Sequence, residues 1–180
     1  LCLGKTATAT AQYNDTTRSA AMAIDGNLET WWSTDGYKPA QSITVDLKDK
    51  TEFNKFMIYY EVGQKMKSFK IEGSNDNQNF TLLHEDAKAD GFTSDHSVVL
   101  GEKLSYRYVK LTVKEVIGAY QNVTIREFQI YNVNETEKNV NLALNKPVTA
   151  SANHGANLDK ANLTDGKEST RWSTEMGPVQ

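Results

Sequence analysis

The chain has 180 residues, of which 38% are hydrophobic and 24% charged, with a formal net charge of −3 and a sequence pI near 5.7. This composition is typical of a folded globular protein and excludes a disordered one. The acidic balance argues against nucleic acid as a partner, and no apolar run approaches the roughly 20 residues that a membrane-spanning helix needs.

The predicted elements are short strands separated by polar turns. Residues 1–10 alternate small and branched side chains and predict a strand, and residues 19–24 predict one short helical turn. After residue 40 the apolar residues alternate or form short runs, which predicts strands at 43–47, 53–60, 69–71, 80–83, 98–100, 109–113 and 125–131. Gly, Asn and Asp separate these runs, and no long amphipathic helix occurs. The sequence therefore predicts an all-β protein, an antiparallel sandwich or barrel.

One segment, residues 23–34, combines turn residues, oxygen-bearing side chains and two tryptophans. Its sequence is AIDGNLETWWST. Asp25, Gly26 and Asn27 are turn residues, because glycine accepts a positive φ and Asp and Asn close local hydrogen bonds. A loop of this kind either binds a hard cation or anchors the core beneath it, and the residues alone leave both interpretations open.

The beginning of the chain recurs after residue 140. Residues 165–174 read DGKESTRWST, and five residues between 142 and 150 repeat those between 1 and 9 at a spacing of 141. The Asp-Gly pair repeats at 140 (165 − 25), so one residue is gained or lost in between. We interpret this pattern as a tandem duplication: a module at 1–133, a linker at 134–140, and the N-terminal part of a second, truncated copy at 141–180.

Six separated segments of the first module resemble one known family in the same order. They are LxLGKTATA, AIDGNLETWWST, ITVDL, FKIEGSNDNQNF, YRYVKLTV and IREFQIYN. These segments resemble the discoidin or coagulation factor 5/8 type C domains, and more closely the bacterial family 32 carbohydrate-binding modules (CBM32). The resemblance spans residues 1–133 and implies an eight-stranded β-sandwich, a jelly roll of the galactose-binding-domain type.

The resemblance also implies a structural calcium ion beneath the Asp-Gly-Asn loop. The ligands that it implies are carboxylate, hydroxyl or backbone carbonyl oxygens of Met22, Asp25, Asn27, Thr30, Arg126 and Glu127. An all-oxygen set with two formal negative charges suits Ca²⁺ better than Zn²⁺. From the residues alone, the alternative is that Asp25 caps a turn and Glu127 pairs with a surface lysine.

Sugar binding in this family uses the loops at one end of the sandwich. A sugar needs planar hydrogen-bonding groups for its hydroxyls and an aromatic face for the apolar side of its ring. The loop residues with suitable side chains are Tyr13, Asn14, Asp15, Trp31, Asp35, Tyr37, Glu61, Gln64, Lys65, Tyr120, Gln121 and Asn122. Each of them alone is ordinary surface chemistry, and only the fold would bring them together. Trp32, which is matched by Trp172, is predicted to be a core residue.

The chain departs at two points from the best-known galactose-binding pattern of this family. That pattern has a histidine directly after the loop tryptophan, where this chain has Ser33. It also has an arginine and an asparagine in a longer loop, where this chain has the short EVGQKMK. The expected partner is a glycan with a galactose-, GalNAc- or GlcNAc-type sugar, and an N-acetylated sugar is one alternative to galactose.

The resulting hypothesis is a non-catalytic carbohydrate-binding module of a secreted bacterial glycoside hydrolase or surface protein. It would lie outside the cell or on its surface, and would direct a catalytic domain of the same polypeptide to host or environmental glycans. Two alternatives are a module for protein or phospholipid adhesion and a structural spacer without a working sugar site. No enzyme is predicted, because His84, His96 and His154 look scattered and the sequence shows no phosphate loop and no His/Cys metal cluster.

Overall fold

The structure is a computed structural model that describes residues 1–14, 16–36, 40–61, 63–92, 95–118, 122–134, 143–167 and 169–174, apart from the side chains of Gln64 and Ala156. The chain divides into two compact units, Leu1–Val133 and Asn134–Gln180. Among the described residues, no helix has the length and apolar character needed to span a membrane.

Seven strands occur among the described residues of the first unit: β1 (Thr6–Ala9), β2 (Trp32–Ser33), β3 (Gln41–Tyr60), β4 (Gln64–Ser74), β5 (Thr81–Ala87), β6 (His96–Gly118) and β7 (Thr124–Tyr131). They are hydrogen-bonded in the order β2-β7-β3-β6-β4-β5, and β1 pairs with β3. Every pairing is antiparallel. The predicted all-β, antiparallel fold is confirmed.

Two strands are longer than the sequence predicted. β3 joins the predicted strands at 43–47 and 53–60, and β6 joins those at 98–100 and 109–113. The register of β3 against β6 shifts between Asp46 and Thr51, and Lys48 within this interval has a φ of 75°. An irregularity of this kind bends a strand without ending it. The resemblance implied eight strands, and the described residues contain seven.

The core of the first unit is formed by alternate residues of the long strands. Ile43, Val45 and Leu47 on β3 are at most 1% exposed, as their two-residue spacing predicts. Aromatic rings fill the centre: the centroid of Phe56 lies 5.4 Å from that of Phe53 and 6.0 Å from that of Phe128.

The segment before the aspartate loop is anchored to this core. A 3-10 helix at Ala20–Ala23 confirms the predicted helical turn, and its two end residues are buried. Trp32 on β2 is fully buried, as predicted, and its indole Nε1 donates a hydrogen bond to the carbonyl of Ala11 at 2.9 Å. The loops on either side of Trp32 are thereby fixed to the sheet.

The second unit is described at residues 143–167 and 169–174. It contains two 3-10 helices, Ala156–Leu158 and Lys160–Leu163, and no strand within these residues. The side chain of Asp159 accepts a hydrogen bond from the backbone N–H of Ala161 and so caps the second of these helices.

Candidate functional site

The aspartate loop of the first unit is closed by its own hydrogen bonds. Asp25 Oδ1 accepts from the backbone N–H of Asn27 at 2.9 Å, and the Thr30 hydroxyl lies 3.0 and 2.8 Å from the two carboxylate oxygens of Asp25. Gly26 has a φ of 81°, where a side chain would be strained. A Cβ at this position would also come within 2.8 Å of the Leu3 side chain. The Asp-Gly-Asn sequence therefore forms the loop by local chemistry.

Glu127 on β7 reaches this loop from a distant part of the chain. Its Oε1 accepts a hydrogen bond from the backbone N–H of Gly26 at 2.8 Å, and only 1% of the residue is exposed. Burial raises the pKa of Glu127, with a further contribution from the neighbouring Asp25, although hydrogen bonds from Gly26 and Gln129 oppose the shift. A divalent cation bound to both carboxylates would relieve the repulsion and compensate the burial of the charge.

Three of the predicted calcium ligands lie close together at this place. Asp25 and Glu127 lie together, and Thr30 contacts Asp25 directly. The register of β3 against β7 shifts between Tyr59 and Tyr60, and Arg126 is the β7 residue that this shift leaves without a partner in β3. A bulge turns backbone groups out of the regular ladder, which suits a carbonyl ligand. The alternative in which Glu127 pairs with a lysine is not observed among the described residues.

An open pocket of about 300 Å³ lies next to the buried tryptophan strand. It is lined by Tyr13, Thr34, Asp35, Gly36 and Asn122. Tyr13 is 62% exposed, so its ring is available to a ligand. A carboxylate and a carboxamide beside an aromatic ring are the groups that a sugar site needs, because the planar groups bond hydroxyls and the ring packs on the pyranose face.

Ser33 holds the two loops that form this pocket. Its backbone carbonyl accepts from the N–H of Tyr13 at 2.7 Å, and its Oγ accepts from Asn122 Nδ2 at 2.8 Å and lies 3.3 Å from the Thr124 hydroxyl. Ser33 itself is buried, with 6% exposure. At the position where the galactose-binding pattern has a histidine, this chain therefore has a hydroxyl that supports the loops and does not face a ligand.

Trp31 and Glu61 form a group with arginine and do not line the pocket. The guanidinium carbon of Arg18 lies 3.6 Å from the Trp31 ring centroid, and that of Arg126 lies 5.3 Å from it. Arg126 Nη2 also donates to Glu61 Oε2 at 2.6 Å. The ring and the carboxylate are thus already occupied by cations, and a sugar would have to displace them.

The remaining predicted ligand residues are placed as follows. Lys65 lies at the start of β4, opposite Ile117 and against Gly91, and is not among the residues that line the pocket. Asp15, Tyr37, Tyr120, Gln121 and the side chain of Gln64 lie outside the described part of the chain. Thr34 and Gly36 line the pocket but were not predicted, although their position directly beside Asp35 was an available signal.

Two of the histidines are not scattered. His84 and Asp86 lie on β5 and His96 begins β6, and one potential ligand atom from each lies within 4.8 Å of the other two. These two histidines, which look scattered along the sequence, therefore lie close together beside Asp86. The sequence did not reveal the cluster because 12 residues (96 − 84) separate the two histidines, and only the path of the chain between β5 and β6 brings them together.

The first unit is a β-sandwich module with an open pocket among its loops. The sequence pattern of the F5/8 type C domain matches residues 6–128, and the chain belongs to this family. No curated protein matches the chain.

Two similar structures are carbohydrate-binding modules. Chitosan-binding module 1 of a chitosanase/glucanase from Paenibacillus sp. IK-5 is 25% identical, with a TM-score of 0.65, over 73% of this chain and 97% of that chain. The Clostridium perfringens module CpGH89CBM32-5, in complex with GalNAc-β-1,3-galactose, is 26% identical, with a TM-score of 0.61, over 71% and 94% of the respective chains. The predicted β-sandwich is thereby confirmed.

A third structure shows the same fold as part of a larger enzyme. It is a GH29 fucosidase from Ruminococcus gnavus, 24% identical with a TM-score of 0.62, and the match covers 73% of this chain but 26% of that one.

Proposed function

We propose that residues 1–133 form a non-catalytic carbohydrate-binding module that holds a glycan in the pocket of Tyr13, Asp35 and Asn122. The observation that carries this proposal is an exposed tyrosine ring beside a carboxylate and an amide in one open pocket. Membership of the F5/8 type C family and the likeness to two sugar-binding modules support it. The binding groups come from three separate loops, which the buried Trp32 and Ser33 hold in place.

The sugar that we propose carries nitrogen at its second carbon, as GlcNAc, GalNAc and glucosamine do. The two most identical structures described above are a chitosan-binding module and a module in complex with a GalNAc-containing disaccharide. Asp35 is exposed in the pocket and can accept a hydrogen bond from an amide N–H or pair with an ammonium group. The buried Ser33 at the histidine position makes unsubstituted galactose a poorer ligand.

The test is calorimetric titration of the full chain with oligosaccharides of GlcNAc, glucosamine, GalNAc and galactose. We expect Tyr13→Ala and Asp35→Ala each to weaken binding about tenfold or more, equivalent to about 1.4 kcal/mol. Tyr131→Ala and Asp49→Ala are matched controls outside the pocket and should bind as the wild type does. If the wild type binds none of these sugars at millimolar concentration, or the four variants bind equally well, the proposal is wrong.

We also propose that Ca²⁺ binds between the aspartate loop and β7. Asp25 and Glu127 would supply carboxylates and Thr30 its hydroxyl, while Met22, Asn27 and Arg126 would supply backbone carbonyls. The ion would connect residues that lie 102 apart in the sequence (127 − 25), which stabilises the folded state without any role in catalysis.

The second unit is proposed to be the N-terminal part of a second copy of the module. In its Asp-Gly loop the Thr170 hydroxyl contacts the Asp165 carboxylate, as the Thr30 hydroxyl contacts that of Asp25 in the first unit. The whole protein is proposed to be a secreted bacterial glycoside hydrolase or a bacterial surface protein. Two binding sites on one polypeptide would raise the effective concentration of each for a polysaccharide.

A further inference from the structure

Two histidines and an aspartate converge at the edge strand β5. His84 and Asp86 are two residues apart on this strand, so their side chains leave it on the same face. His96, the first residue of β6, completes the group: its Nε2 lies 3.2 Å from Asp86 Oδ2. One nitrogen or oxygen from each of the three side chains lies within 4.8 Å of the others.

The imidazole rings of this cluster are held by aromatic neighbours. The His96 ring lies 4.4 Å from Phe92 and 5.2 Å from Phe69, and the His84 ring lies 5.9 Å from Phe69. This packing limits the rotation of both histidines. The side chains of Asp86 and His96 are 39% and 22% exposed, so the cluster is open to solvent on the Asp86 side.

One nitrogen in the cluster lacks a partner. His84 Nε2 is buried and makes no hydrogen bond with any described residue. A buried polar atom without a partner is unfavourable, and native structures usually satisfy it with a protein group, a water molecule or an ion. A metal ion shared by the three side chains would satisfy it.

The donor set selects the chemical class of the ion. Two imidazole nitrogens and one carboxylate are ligands of Zn²⁺ and of similar divalent transition metals, whereas Ca²⁺ prefers oxygen alone. Ligand atoms about 2.0–2.1 Å from a tetrahedral Zn²⁺ lie about 3.3 Å from each other. The 3.2 Å between His96 Nε2 and Asp86 Oδ2 is close to this value, and the His84 ligand atom lies within 4.8 Å of both partners.

We propose that His84, Asp86 and His96 bind a divalent transition metal of the zinc class, with water at the remaining position. This site is separate from the sugar pocket and from the oxygen ligands proposed for Ca²⁺. The ion would connect β5 to the beginning of β6. Because β5 is the edge strand of the sheet and pairs only with β4, the ion would also stabilise this edge. The plain alternative is an ion pair between Asp86 and His96 in which His84 has no part.

The test is titration of the full, tag-free chain with ZnCl₂ in the presence of excess Ca²⁺, which saturates the oxygen site. We expect one Zn²⁺ per chain and a higher Tm when Zn²⁺ is bound. Loss of a residue that only hydrogen-bonds to a metal ligand typically weakens metal binding by roughly 10–100-fold. His84→Gln and His96→Gln each remove a ligand itself and should weaken Zn²⁺ binding by more than this. His154→Gln, which alters the only histidine outside the cluster, should bind Zn²⁺ as the wild type does.

A second measurement keeps the test independent of folding. Asp86→Asn changes a partly exposed side chain, and we expect it to fold with an unchanged circular dichroism spectrum but to lose Zn²⁺. Substitution of Co²⁺ for Zn²⁺ should give the ligand-field absorption of a low-coordinate site in the wild type and not in this variant. If the wild type takes up no Zn²⁺, or if Asp86→Asn and His84→Gln bind it unchanged, the proposal is overturned.

Discussion

The two Asp-Gly loops of the chain have the same local hydrogen bonds in different surroundings. In the first unit the Thr30 hydroxyl lies 2.8 Å from Asp25 Oδ2, and in the second unit the Thr170 hydroxyl lies 2.8 Å from Asp165 Oδ2. The tryptophan indoles also repeat, since each donates to a backbone carbonyl at 2.9 or 3.0 Å. Both loops follow a 3-10 helix of four residues. Local sequence is therefore enough to form the loop.

What differs is what covers the loop. Trp32 is fully buried beneath the first loop, whereas Trp172 is only half-buried. Glu127 of β7 contacts the first loop, and no strand equivalent to β7 lies within the described residues of the second unit. Burial and the second carboxylate thus depend on distant strands, while the shape of the loop does not.

The hydrogen bonds also locate the single residue by which the two repeated segments differ in length. Tyr13 and His154 are 141 apart and donate to Ser33 and Ser173, which are 140 apart. The carbonyls of Arg18 and Leu158, again 140 apart, accept from the same two serines. The extra residue therefore lies between 13 and 18, in the loop that borders the pocket of Tyr13, Asp35 and Asn122.

The largest expected difference between the two loops is at the tryptophans. Trp32→Ala removes a fully buried ring and should lower the free energy of unfolding of the first unit by about 3–5 kcal/mol. Trp172→Ala removes a half-buried ring and should have a much smaller effect. Urea denaturation followed by circular dichroism measures both. Equal losses would mean that the second loop is covered as well as the first.

Substitution of Glu127 is expected to have a large effect on stability, but only in the presence of Ca²⁺. For the wild type, Ca²⁺ at about 100 times its dissociation constant should stabilise the first unit by about 2.7 kcal/mol, measured as a rise in Tm over the protein in EDTA. Glu127→Gln can still accept from Gly26, so it should fold in EDTA but gain little from Ca²⁺. Asp165→Asn in the second unit is the control and should leave the Ca²⁺-dependent rise intact. A full rise in Glu127→Gln would argue against the proposed ion.

A smaller and equal effect is expected at the two threonines. Thr30→Val and Thr170→Val each remove one hydroxyl bonded to an aspartate, and in EDTA each should cost its own unit about 1 kcal/mol. Urea denaturation in EDTA isolates this local bond from any contribution of the ion. A cost several times larger for Thr30→Val than for Thr170→Val would show that the loops are not locally equivalent.

The smallest expected effect is on acid stability. The hydrogen bond from Arg107 lowers the pKa of Asp46 to about 2 from its ordinary value of 3.8, and the two are 61 residues apart. Because the folded-state pKa is the lower one, this stabilisation is fully present above about pH 4 and is lost as the pH falls through about 2. By contrast, the pKa of Asp165 is lowered within its own loop, first by the backbone N–H of Lys167 and also by Thr170.

Because the pair is partly exposed, Arg107→Gln should lower the urea midpoint of the first unit only slightly near neutral pH, and it should have no effect below pH 2. Urea midpoints measured across this range give the result, with Lys50→Gln as the control for loss of a positive charge. An Arg107→Gln effect that persists at the lowest pH would assign the loss to packing and not to the ion pair.

Much of the fold could be predicted because its signals are local. The two-residue spacing of Ile43, Val45 and Leu47 marks a strand whose one face is buried, and the Asp-Gly pairs mark turns. The continuity of β3 through Lys48 could not be predicted in this way, because a bulge and a loop have the same residue composition. The site was only partly predictable: Tyr13, Asp35 and Asn122 do meet in the pocket, whereas Trp31 and Glu61 are engaged by Arg126.

The sequence by itself determined the class of the protein, the position of the aspartate loop and the local bonds that close it. These depend on residues a few positions apart, whose conformations are set by backbone sterics and short hydrogen bonds. Only the tertiary structure decided that Glu127 lies at Gly26, that Ser33 is buried under the pocket, and that His96 meets His84. Contacts between distant residues depend on strand register and on the path of the chain, and neither is encoded by any single segment.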